Sequence, residues 1–291
     1  MKTCLLISTC EKYRPMADFT RARIQEFWQE PPPIRICGLE SGADVLPLRD
    51  DPSDWMKVMR SACDDLKAEG FDRLYLILDD HPPLGSCHSK HLNETLPAMM
   101  DGLEAVSISL SGWGQGRVAH GEMVKWKGWN LDRCLPTTLW KFPLHPALWR
   151  LDALRAILDH LIASLPEAEH TPWAFERKGG AADSGLPEEL TAHSYRIEGI
   201  SKAAKRYPVR FEWMKTATDG YRWAVRQVGG TAARAAVDDR ILGIHHYYHG
   251  PYPLIWSGLM RKGVLNTNAL FLFAVGRRQD WIEELEKMHL P

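Results

Sequence analysis

The sequence has no apolar run near the about 20 residues that span a bilayer. Its longest, around residues 269–275, is far too short, so no transmembrane segment is expected. Neither sign of charge is in excess: 36 Lys and Arg stand against 37 Asp and Glu, a net charge of -1. A duplex-binding surface calls for a basic excess or stripe, and its lack argues against nucleic acid as a partner. Cysteine is sparse, with six thiols at 4, 10, 37, 63, 87 and 134 and no C-x-x-C pair. Spacing this wide and irregular reads as reduced core thiols rather than a disulfide or zinc framework. The first nine residues hold one positive charge and an apolar core cut short by Glu11 and Lys12, so no secretory signal is expected and the chain reads as cytoplasmic. H-E-x-x-H, the P-loop, G-x-S-x-G and G-x-G-x-x-G are all missing, as are internal repeats and low-complexity tracts.

What is present is ordinary globular material. Of the 291 residues, 45% are hydrophobic and 25% charged, enough to bury a sizeable core. Thr3-Cys4-Leu5-Leu6-Ile7-Ser8-Thr9 reads as a buried parallel strand, followed by a helix over residues 15–28 that Pro31-Pro32-Pro33 stops. A second strand is expected at 34–37. Ser53 is a candidate N-cap for a helix carrying Trp55, Val58, Met59, Ala62 and Leu66 up to Gly70. Arg73-Leu74-Tyr75-Leu76-Ile77-Leu78 is a third strand. A helix over 90–103, strands over 105–110 and 137–142, and an amphipathic helix marked by Leu148, Leu151, Leu154, Ile157, Leu158 and Leu161 follow. Residues 111–129, rich in Gly and Trp, read as a loop. Beyond Gly179 the pattern weakens: short strands are expected near 195–200, 209–213 and 221–227, and a closing helix over 281–288. Alternating strands and helices predict an α/β fold, a mixed, mostly parallel sheet flanked by helices, in one domain spanning 1–291.

Ligands of open α/β sheets gather at the carboxyl ends of the strands, which is where the candidate chemistry lies. The third strand delivers Asp79-Asp80-His81 and then Pro82-Pro83, a compact anionic group on a stiff turn, suited to a divalent cation that neutralises a diphosphate. The ordinary alternative is one capping and one solvated aspartate. Thr9-Cys10-Glu11-Lys12-Tyr13, at the end of the first strand, offers backbone amides and a hydroxyl for a ribose or phosphate and a ring to stack on a base. Alone it is also merely a polar turn. Thr171-Pro172-Trp173-Ala174-Phe175-Glu176 opens a helix with Trp173 and Glu176 on one face, an indole for a pyranose beside a carboxylate for a hydroxyl proton. Its structural alternative puts Trp173 and Phe175 in the core and makes Glu176 a first-turn acid. Six of the twelve tryptophans (113, 126, 129, 140, 149 and 173) lie within 61 residues, and indoles among glycines point to an acceptor platform. His245-His246-Tyr247-Tyr248-His249 puts His245 and His249 on one side of an extended segment, where one could meet a metal or phosphate; three surface histidines are the alternative.

Taken in order, Thr9 to Tyr13, a helix opening at Trp55, Tyr75 to Asp80, His145-Pro146-Ala147-Leu148-Trp149 and Pro172-Trp173-Ala174-Phe175-Glu176 resemble the bacterial GT-A glycosyltransferases of polysaccharide biosynthesis, over roughly residues 3–180. The resemblance implies a GT-A-like, Rossmann-like fold, with residues 1–110 as the nucleotide-sugar half and 111–291 as the acceptor half. It implies a nucleotide-diphosphate sugar as donor and a glycan or lipid-linked acceptor, with peripheral membrane contact open although no basic amphipathic helix supports it. Thr9, Cys10, Glu11, Lys12 and Tyr13 would touch the nucleotide, together with Asp79 and Asp80. Glu176 would be the catalytic base of an inverting transfer, and Trp113, Trp149, Trp173 and His245 would bind substrate. Asp80 and His81 would hold Mn²⁺ or Mg²⁺, although Asp-Asp-His replaces the family's Asp-x-Asp and leaves Lys12 or Arg14 as the other source of positive charge. A metal-dependent hydrolase using Asp79, Asp80, His81 and His245, and a non-catalytic carbohydrate- or nucleotide-binding protein, are the alternatives.

Overall fold

A computed structural model describes residues 1–83, 87–110, 122–135, 141–142, 144–181, 183–197, 259–261, 264–265 and 279–288. Its first 110 residues alternate strand and helix: β1 (Thr3–Ser8), α1 (Arg14–Phe27), β2 (Ile34–Cys37), α2 (Trp55–Ala68), β3 (Arg73–Leu78), α3 (Leu96–Gly102) and β4 (Ser107–Ser109). Then come a hairpin of β5 (Glu122–Trp126) and β6 (Trp129–Arg133), β7 (Ala147–Arg150) and α4 (Leu151–Ser164). The short α5 (Pro172–Ala174) runs into a π-helical turn, Phe175–Gly179, and is followed by α6 (Glu188–Thr191) and β8 (Ser194–Ile197). A small hairpin, β9 (Met260–Arg261) with β10 (Val264–Leu265), and α7 (Gln279–Glu286) complete the described elements.

Eight strands form one mixed sheet in the order β2-β1-β3-β7-β4-β8-β6-β5. Following the pairings across it, only β7 and β6 run against the other six. The mixed, mostly parallel α/β sheet expected from the alternation is present, with helices on both faces. The two-residue period of each strand divides its apolar residues between the faces. Cys4, Leu6, Leu74 and Leu76 face α2 and α4 with Met59, Leu66, Leu154 and Leu158. Leu5, Ile7, Tyr75 and Ile77 face α1 and α3 with Ala17, Ile24, Leu96 and Met99. A third cluster seats α7 on α1, with Trp281 edge-on to Phe19 at 5.3 Å.

Three local expectations are corrected. Asp54, not Ser53, caps α2: its side chain accepts from Lys57 N, while the Ser53 hydroxyl binds Asp51. Leu148 belongs to β7 rather than to the helix, because Leu148 registers with Tyr75 on one side and Ile108 on the other. The last part of the stretch read as a loop, from residue 122, instead begins the β5–β6 hairpin of residues 122–133, which turns at Gly128 with φ +83°. Trp126 of that hairpin lies so close to α3 that a Cβ at Gly102 would sit 2.7 Å from its Nε1. The expected strands at 209–213 and 221–227 and the loop residues 111–121 lie outside the described residues, as do residues 137–140. Among the described residues no helix is long and apolar enough to cross a membrane.

Candidate functional site

The parallel pairing of β1 with β3 brings their carboxyl ends side by side, with Ser8 opposite Leu78. The chain leaves both strands together: Asp79 N donates to Ser8 O at 3.1 Å and Thr9 N to Cys37 O of β2 at 3.1 Å. Gly38 permits this closeness, since at φ +89° its Cβ would lie 2.0 Å from Thr9 O. Thr9 Oγ1 donates to Asp79 Oδ2 at 2.6 Å, and Thr20 Oγ1 of α1 donates to Asp79 O. Burial, and next the charge of Asp80, push the Asp79 carboxyl up to about 7, against the pull of the Thr9 hydroxyl.

Asp80 turns to different partners. Its Oδ2 accepts from Met260 N at 3.2 Å, its carbonyl accepts from Leu259 N at 2.8 Å, and its Oδ1 lies 2.8 Å from His81 Nδ1. His81 is only 4% exposed, and its Nε2 lies 3.3 Å from His145 Nδ1 with the rings edge to face. His145 reaches this point because β7 runs antiparallel to β3, so the residues just before β7 meet the end of β3, where Leu76 registers with Ala147.

Glu176 arrives from a third direction. Thr171 caps the turn, its Oγ1 accepting from Ala174 N at 3.2 Å, and Pro172 supplies the first helical residue. The Glu176 side chain folds inward, where Oε1 accepts from Leu144 N at 2.6 Å. Burial raises its pKa; the Leu144 bond and the charge of His81 oppose the rise. At the carboxyl edge of the sheet, Thr9 thus bonds Asp79, Asp80 pairs with His81 and His81 meets His145, while Glu176 lies within the field of His81. Two acids there hold protons more firmly than ordinary carboxylates, and the half-buried His145 sits beside them. Such a group can bind a polar ligand and move a proton at a hydroxyl.

The remaining candidates divide. Glu11 serves the local backbone, accepting from Glu40 N at 2.7 Å and from Arg14 Nε at 2.9 Å, and these bonds lower its pKa. Arg14 is committed to that pair. Cys10 is half-buried with its thiol pKa raised by burial. Lys12 is exposed, its Nζ 5.4 Å from the Tyr13 ring centre, and Tyr13 packs partly against the α1–α7 cluster. Trp149 is corrected: it is 1% exposed, enclosed with Phe142 and Phe175 at 5.5 and 6.2 Å, and offers no face to a sugar. Trp126 and Trp129 are half-buried and pack against the α1–α3 side of the core. Trp173 is 69% exposed, as a substrate-facing indole requires. Trp113 and His245 lie outside the described residues.

The expected divalent cation does not fit the donor set as arranged. One Asp79 oxygen takes the Thr9 hydroxyl, both Asp80 oxygens face His81 and Met260, and among the described residues no three His, Cys, Asp or Glu side chains converge to hold a metal ion. As arranged, Asp80 and His81 are partners of each other at 2.8 Å. His145 was missed as a site residue from sequence, although it heads the His-Pro-Ala-Leu-Trp segment; only the antiparallel course of β7 reveals its neighbour.

No protein-family model matches the chain, and no curated protein matches it. Among solved structures it is similar to mannose-1-phosphate geranyltransferase from Thermus thermophilus, at 14% identity and a TM-score of 0.34 over 68% of this chain and 74% of that one. It is also similar to residues 1–349 of S. aureus TarS, at 12% identity and a TM-score of 0.38 over 84% and 70%. A197 from STIV follows at 12% and 0.28 over 53% and 67%. Likenesses this distant carry no functional weight.

Proposed function

We propose that the protein transfers a glycosyl group from a nucleotide-diphosphate sugar to a hydroxyl of a glycan or lipid-linked acceptor in surface polysaccharide biosynthesis. The observation that carries this reading is the buried Glu176, in the turn after α5, tied to Leu144 N and within the field of His81 at the end of β3. The motif order resembling GT-A glycosyltransferases supports it. In this reading the exit of β1, with Thr9, Cys10 and Lys12, receives the nucleotide. The acceptor oxygen bonds to the anomeric carbon while the carbon–oxygen bond to the diphosphate breaks, its electron pair leaving with the diphosphate. Glu176 takes the hydroxyl proton; burial raises its pKa above the ordinary carboxylate value, which makes it a stronger base than a solvated glutamate. This reading assigns Glu176, arriving from the turn after α5, to the acceptor face as the base of an inverting transfer. Lys12, exposed beside the strand end, is a cationic side chain available to the departing charge.

The test is a thermal-shift panel of UDP, GDP, CMP and dTDP sugars, each with and without Mn²⁺ or Mg²⁺. A ligand that binds only the folded chain raises its apparent stability with occupancy. A selective shift for one nucleotide, and transfer of its sugar to an added glycan, supports the reading. Binding without transfer to any acceptor indicates a non-catalytic carbohydrate- or nucleotide-binding protein, and no shift at all overturns the donor site.

A further inference from the structure

Trp55 joins the two sides of this site. It is the first residue of α2, half-buried, and its Nε1 donates to Ser8 Oγ, on the last residue of β1, at 2.9 Å. Its ring meets that of Phe175 edge to face, centroids 5.5 Å apart and planes at 67°, and Glu176 is the next residue. Asp54, immediately before it, fixes the same turn from its other end: His170 Nδ1 lies 2.8 Å from Asp54 Oδ2, and Met56 N donates to His170 O at 3.3 Å. The indole is thus pinned at its nitrogen and along one edge, and part of its surface still reaches solvent.

We propose that Trp55 is the stacking platform for the pyranose ring of the donor sugar. The proposal rests on the transfer reading above and names the residue that would hold the sugar between the nucleotide and Glu176. Trp55 packs partly against the α2–α4 core and keeps some surface in solvent, and the C–H face of a pyranose packs on an apolar indole ring of this kind. A plane already fixed by Ser8 and Phe175 loses little freedom when a ligand arrives. The location selects the sugar over the base. Trp55 contacts the end of β1 and the segment carrying Glu176, whereas the turn that would receive the base, Thr9 to Tyr13, lies beyond Ser8. Of the indoles nominated from sequence, Trp149 is enclosed and Trp173, though exposed, sits three residues before Glu176 without this link to β1.

The test uses the full chain and calorimetric titration with UDP-glucose, UDP-N-acetylglucosamine, GDP-mannose and dTDP-rhamnose, each beside its free nucleotide. Trp55→Leu is expected to weaken the nucleotide sugar about three- to tenfold while the free nucleotide stays within about twofold. Trp55→Phe, which keeps a ring against Phe175, is expected to lie between. Ser8→Ala, which frees the indole without removing it, should weaken the sugar alone and tests the idea even if Trp55→Leu does not fold. Equal losses for sugar and nucleotide, or no loss for either, overturn the platform. A second readout separates the two ideas: the Trp55 indole N–H resonance, assigned from Trp55→Phe, is followed as methyl glucosides are added. If no nucleotide sugar binds the wild type, the donor reading falls, yet movement of that resonance still supports a sugar platform at Trp55. Its silence towards both sugars and nucleotide sugars overturns the platform.

Discussion

At the scale of single residues, the site is defined by what burial does to carboxyls. Glu176 is enclosed and tied to Leu144 N, so its replacement should separate chemistry from binding. Glu176→Gln keeps an oxygen for that bond and removes the base; transfer is expected to fall by about 10² or more while donor affinity stays near wild type, read by turnover and calorimetry. Asp79 yields a stability prediction. Its pKa is raised, so the folded chain holds that proton longer than the unfolded chain does. The stability linked to it is full below the ordinary carboxylate range and declines as pH rises through about 7. Asp79→Asn still accepts from Thr9 and has no charge to bury. Its stability should be flatter between pH 4 and 8, exceeding wild type at pH 8 by on the order of 2 kcal/mol in urea titrations. An unchanged slope would mean that Asp79 titrates normally. The places of Asp79, Asp80 and Glu176 in the fold were legible because a polar residue at the end of an apolar strand, or after a Thr-Pro helix start, declares its position locally. Trp149 was misread since composition around an indole does not say which way it points; the β7 register buries it.

At the scale of elements, periodicity recovered α1, α2, α4 and the three strands β1 to β3, each with a clean apolar pattern and a clear stop. It failed where two patterns coincide. Leu148 fits the helical spacing of Leu151 and Leu154, and only pairing with β3 and β4 makes it a strand residue. The cap of α2 failed for a similar reason. Ser53 and Asp54 are both good caps in isolation, and the choice is made by His170, more than a hundred residues away. That gives a sharp expectation. Asp54→Ala loses the bond to Lys57 N and leaves His170 without its carboxylate, which together should cost about 2–4 kcal/mol in urea unfolding. Ser53→Ala, at an exposed residue, should cost no more than about 0.5 kcal/mol. Equal effects would return the cap to Ser53. Because the Asp54–His170 pair lies at the base of the Glu176 turn, Asp54→Ala should also lower transfer.

At the scale of the whole molecule, the expected single domain has its nucleotide half, 1–110, and its acceptor half, 111–291, contributing strands to one sheet. β3 and β4, both in the first half, are not neighbours: β7 from the second half lies between them, Leu74 and Ser107 both registering with Trp149. The α2 face of the sheet is likewise closed by α4, whose Leu154, Ile157, Leu158 and Leu161 belong to the second half. No local pattern announces such a crossing, since a strand's neighbour in the sheet is set by long-range closure rather than by sequence distance. The functional consequence is that His145 reaches His81 only when both halves fold together. Residues 1–110 expressed alone would therefore leave β3 and β4 with open edges and Leu6, Leu74 and Leu76 without their α4 cover. Such a fragment is expected to give a collapsed amide proton spectrum and no cooperative thermal transition, whereas the full chain melts in one. A dispersed spectrum from the fragment would show that β7 is an addition to a sheet already stable without it, and would make the site an assembly of two separable parts.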